Sequence, residues 1–107
     1  MAKSVHPNDW LANIVNTGTP VDGITFMLAD IPEVSIAEAT VATGDIRKVM
    51  LGICEAVYQK WATTAVSERP LRMTCYCVPG KLPNGNEIRQ YIFAFETAGP
   101  GLDVVAE

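Results

Sequence analysis

Three cysteines and one histidine are the residues of this chain with the sharpest chemical possibilities. Cys75 and Cys77 stand two apart in a run of strand-forming residues, so both point to one side of a strand. Cys54 lies on the flank of a helical stripe, and His6 would complete four soft ligands, the number a structural zinc site takes. The spacing argues the other way. Zinc sites draw paired ligands from tight Cys-x-x-Cys knuckles, whereas all three thiols here occupy positions where an apolar side chain is wanted. Small core residues are the better reading, and no metal or cofactor is expected.

Nucleophilic catalysis by a thiol needs a base beside it. His6 precedes a proline in a turn-forming stretch near the start, where a solvated or capping role is ordinary. Asp30 and Glu33 flank Ile31-Pro32, and Glu96, placed to meet Arg72 across a sheet, reads as an edge charge rather than a general acid. "GKLPNG" contains Gly-Lys but lacks the upstream glycine spacing and the following Ser or Thr of a phosphate loop. No catalytic set emerges, and the chain is not expected to be an enzyme.

Charge narrows the partners. The chain of 107 residues carries a net charge of −4, which disfavours nucleic acid, since phosphate binding needs a basic surface. The charge falls in blocks: 6 acids against Lys3 in residues 1–45, then 7 bases against Glu55, Glu68 and Glu87 in residues 46–89. Apolar residues make up 49% and charged residues only 19%, so this is a globular composition with unusually little charge to cover its surface. No apolar run reaches the length of a membrane span, and "MAKSVHPNDW" has no apolar leader core, so neither membrane nor secretion is expected. An odd number of cysteines, 3, makes a poor disulfide framework and fits a reducing, cytoplasmic setting.

The elements that would position these residues form one small α+β domain over residues 1–107. "HPNDWLANIVNTG" predicts a short helix over 9–17, and "ITFMLADIP" a strand that Pro32 ends. Residues 33–43 suit strand and helix alike. From Asp45 onward, Ile46, Val49, Met50, Ile53, Val57 and Trp61 fall on one stripe of a long amphipathic helix ending near Thr63. Gly52 inside it is a poor helix former, which implies a close contact there. Strands follow at 71–78 and 88–96, with a long loop between them and a loose tail over 98–107.

With Asn84-Gly85 at the centre of the turn, the hairpin has two unlike sides. One offers Met73, Cys75, Cys77, Ile92 and Ala94; the other offers Tyr76, Val78, Tyr91, Phe93 and Phe95. Neither side is polar, and one helix covers only one of them. The aromatic side, Tyr76, Tyr91, Phe93 and Phe95, is therefore the candidate contact surface, and a homo-oligomer, or another protein partner, its expected cover. Phe93→Asp should then break the assembly. The function these features favour is a self-assembling structural or protein-interaction subunit, of which a virion or particle component would be one form. The alternative is a small-molecule binder or enzyme with a pocket between helix and sheet, lined by Tyr76, Tyr91, Trp61 and the cysteines. A zinc-stabilised module is the third.

Overall fold

Local chemistry sets the first elements of the computed structural model, which describes residues 6–105. Residues 1–5, on which the expectation about a leader partly rests, and residues 106–107 of the tail lie outside the described residues. Helix α1 is a single turn, Pro7–Trp10, with Pro7 where no N–H is needed and the His6 N–H donating to Asp9 Oδ2 at 3.1 Å. Leu11 is already extended, and Val15–Thr17 form strand β1, so the helix expected over 9–17 is corrected to one turn followed by a strand. Ile14 and Val15 are β-branched, and Asp30 takes both the Asn13 N–H (2.8 Å) and its side-chain amide (3.0 Å), drawing the chain off a helical path.

β1 pairs antiparallel with β2, Gly23–Thr25, across a turn in which Gly18 adopts φ 95°. The strand expected from Ile24 onward is also shorter. β1 offers three partners, after which the chain makes a 3-10 turn at Leu28–Asp30. The ambiguous stretch 33–43 contains α2, Ile36–Ala39, opened by a capping box. The Glu38 N–H donates to Ser35 Oγ (3.2 Å) and the Ser35 N–H to Glu38 Oε1 (2.9 Å).

Helix α3 spans Ile46–Thr63, as the stripe predicts. Asp45 caps its start by accepting the Arg47 N–H at 2.9 Å. Its end is closed by Arg69, whose Nε donates to the carbonyls of Trp61 (2.9 Å) and Thr64 (3.0 Å). The same guanidinium lies 4.0 Å from the Trp61 ring centroid. Gly52 is the buried residue of α3, and a Cβ there would intrude on the Cγ2 methyls of Ile31 and Val34. The close approach implied by this glycine is thus made by the segment before α2.

Strands β3, Met73–Lys81, and β4, Glu87–Phe95, form the C-terminal hairpin. The loop is shorter than expected and the register differs by one residue: Cys75 faces Phe93, Cys77 faces Tyr91 and Tyr76 faces Ile92. The cause lies in Pro83. A two-residue turn on Asn84-Gly85 would require a Pro83 N–H to pair with Asn86, and proline has none. Leu82 pairs with Asn86 instead (2.8 Å), Gly85 N–H returns to the Leu82 carbonyl (3.0 Å), and Gly85 takes φ 88°. This is a three-residue turn with proline at its favoured second position and glycine at the left-handed one.

The described part of the tail, residues 98–105, makes backbone hydrogen bonds. Ala98 N–H donates to the Asp103 carbonyl (2.7 Å) and Val105 N–H to the Glu96 carbonyl (3.0 Å), around the Gly-Pro-Gly turn. The expected Arg72–Glu96 pair is present at 3.7 Å, on the surface, where it contributes little. The α+β class, long helix, hairpin and short N-terminal helix are all present, with the strands in two separate two-stranded sheets. Among the described residues no helix is long and apolar enough to cross a membrane.

The core is thin. Leu11, Ile31, Val34 and Cys75 are the buried apolar residues among those described. On the stripe of α3, Val49, Ile53, Val57 and Trp61 are half-buried, while Met50 is exposed and Ile46 is 69% exposed. The radius of gyration is 16.0 Å, against about 13 Å for a compact chain of this length.

Candidate functional site

Two places on the hairpin could act on something outside the chain: the junction of its inner face with α3, and its outer face. Alternation puts Arg89, Tyr91 and Phe93 on the side that meets α3, where Tyr58 meets Tyr91 edge-on at 6.3 Å and Tyr91 lies parallel to Phe93 at 6.4 Å. Glu55 sits at the centre. It accepts hydrogen bonds from the Tyr91 hydroxyl, from Gln59 Nε2 (2.8 Å) and from Arg89 Nη1 (3.3 Å). One turn of helix spaces Glu55 and Gln59, and one β repeat spaces Arg89 and Tyr91, so the two elements present a matched polar clamp.

These hydrogen bonds set the titration of the clamp. Donation by Tyr91, then by Gln59, holds the Glu55 carboxyl below its ordinary 4.5 against a smaller opposing effect of burial. Burial, and then the bond to Glu55, pushes the Tyr91 phenol up to about 12. Beside the clamp is a cleft of about 320 Å³, bounded by Pro32 and Glu33 on one side and by Lys48, Gln59 and Arg89 on the others. The polar groups already bind one another, so the arrangement fixes the hairpin on the helix. None of Glu55, Gln59 and Arg89 stood out in the sequence. The detectable signal was the Glu55–Gln59 spacing together with an arginine and a tyrosine on one strand face.

The four residues of the candidate aromatic surface do not share a face. Tyr91 and Phe93 face α3 and are half-buried, and Phe95 is on the same side at the exposed end of the strand. Tyr76 points the other way and is 54% exposed, beside Val78 (48%), Ile92 (49%) and Ile88 (41%). The one-residue difference in register re-pairs the faces, so Cys75 and Cys77 lie with Tyr91 and Phe93. Phe93→Asp therefore strikes the helix contact first, and reads folding as much as assembly.

Cys75 is buried and Cys54 half-buried, and burial pushes both thiols up, away from nucleophilic character. All 3 cysteines are free thiols. Among the described residues no three of the His, Cys, Asp and Glu side chains gather as a metal would need, so Cys54, Cys75, Cys77 and His6 are not brought together as a ligand set. His6 borders an apolar groove of about 390 Å³ between Trp10, Val57, Met73, Phe95 and Val104. Of the residues expected to line a pocket, Tyr76, Tyr91, Trp61 and the cysteines, Tyr91 borders the cleft beside Glu55, while Tyr76 lies on the opposite side of the hairpin, near Trp61.

No family model, no curated protein and no solved structure matches the chain.

Proposed function

We propose that this chain is a self-assembling structural or protein-interaction subunit without catalytic activity of its own. One observation carries the reading. The accessible surface is 7777 Å², whereas a monomer of 11.6 kDa presents about 5,800 Å², an excess of roughly 1,900 Å². A standard interface takes about 800 Å² from each partner, so the excess is more than twice what one such contact would remove. Exposed apolar residues such as Ile46, Tyr76, Ile92 and Phe95 supply much of it. A repeated unit of a larger particle such as a virion fits this balance of thin core and apolar surface, free thiols fit a cytoplasmic setting, and a net charge of −4 fits protein rather than nucleic-acid partners.

Native mass spectrometry on untagged protein, purified without chelators, tests the proposal. A mass of two or more chains is expected; a single chain of 11.6 kDa at micromolar concentration refutes it. The second reading, a small-molecule site, is favoured by the cleft beside Glu55, whose 320 Å³ reaches the size of a ligand pocket. A stoichiometric organic adduct that Glu55→Gln removes would replace the first reading with this one.

A further inference from the structure

We infer that the surface through which copies associate is the outer face of the β3–β4 hairpin, stacked on the same face of a second chain about a two-fold axis; this rests on the self-assembly reading above. The face consists of four cross-strand pairs on the side of the hairpin opposite Cys75, Tyr91 and Phe93, with Tyr76 reaching Trp61 near the end of α3, and none of its residues is charged. Its apolar part is Tyr76, Val78, Ile88 and Ile92, each exposed.

Its polar part is what selects a second copy over an unrelated partner. A two-fold interface places a patch against itself, so a fixed charge near the axis meets its own like. Here the polar side chains are Thr74, Tyr76 and Gln90, and each is at once a donor and an acceptor, able to bond its own counterpart. The exposed start of the α3 stripe, Ile46 and Met50, lacks this property, since the charged Arg47 stands next to Ile46. Tyr76 is also held in place: its ring lies 6.4 Å from that of Trp61, which Arg69 in turn clamps. An aromatic residue that is exposed yet already ordered loses little freedom on binding, the character of an interface anchor. Two such ribbons would pack about 10 Å apart with both copies of α3 outside, giving a helix–sheet–sheet–helix stack.

The test compares native masses of wild type, Ile92→Lys, Gln90→Lys and Met50→Lys, with circular dichroism as the check on folding. Gln90→Lys removes no apolar group, so it gives the readout even if Ile92→Lys fails to fold. Both hairpin variants are expected to halve the wild-type mass while Met50→Lys, on the helix stripe, keeps it. If the hairpin variants retain the wild-type mass, or only Met50→Lys lowers it, self-assembly stands and this face is wrong. If the wild type is itself a single chain, the self-assembly reading falls and this inference with it.

Discussion

Gly52 shows how one residue can oppose its own propensity. Alanine is favoured over glycine inside a helix by about 1 kcal/mol, yet here its Cβ would collide with Ile31 and Val34, two of the few buried residues. Overpacking costs about 1–3 kcal/mol, so Gly52→Ala is expected to lower stability despite the better helix former, read as a lower urea midpoint. The Glu55–Tyr91 bond gives a second residue-scale prediction, with opposite signs at the two ends of the pH range. Glu55 has a native pKa below 4.5, so its contribution is complete above that pH and is lost as pH falls through the native value. Tyr91 is raised from 10.0 to about 12, so its contribution is complete below pH 10 and is lost as pH rises toward 12. Melting curves against pH should flatten on the acid side in Glu55→Gln and on the alkaline side in Tyr91→Phe. Unchanged profiles would show that the clamp does not couple helix to hairpin.

Among the elements, the termini of α3 are better specified than its stripe. Asp45 is a recognisable cap, but Arg69 reads in the sequence only as the residue before a proline. Its role depends on the 3-10 turn at Val66–Glu68, which returns the side chain to the helix end. Hydrogen bonds to a charged donor are worth about 1.5–3 kcal/mol, so Arg69→Met, which keeps the apolar stem over Trp61, should lose that much in urea denaturation. A smaller loss would mean that solvent satisfies the Trp61 and Thr64 carbonyls just as well. The hairpin teaches the complementary lesson. Both strands were legible from alternation, but the pairing between them turned on Pro83, and a loop of three residues rather than two exchanges the face that Tyr76 occupies.

For the whole molecule the decisive quantity is surface. A chain whose buried apolar residues, among those described, are Leu11, Ile31, Val34 and Cys75 has a weak hydrophobic drive of its own, and association would add to it. Stability linked to association depends on concentration. The melting temperature of the wild type should rise with protein concentration across the micromolar range, and that of Ile92→Lys should not. A wild-type melting temperature independent of concentration would point to a thinly packed monomer.

Taken alone, the sequence determined the α+β class, the extent of α3, the existence of the hairpin and the tight contact at Gly52. Each follows from periodicity or residue type within a short stretch, where helix and strand geometry leave few alternatives. Tertiary structure decided the rest: the shortened N-terminal helix, drawn aside by the Asn13–Asp30 bonds; the Glu55 clamp, whose strand partners Arg89 and Tyr91 lie more than thirty residues away; and the sidedness of the hairpin. The last matters most for function. A strand's two faces are fixed by alternation, but which face of one strand joins which face of its neighbour depends on the turn, and which joined face stays open depends on where the helix lies.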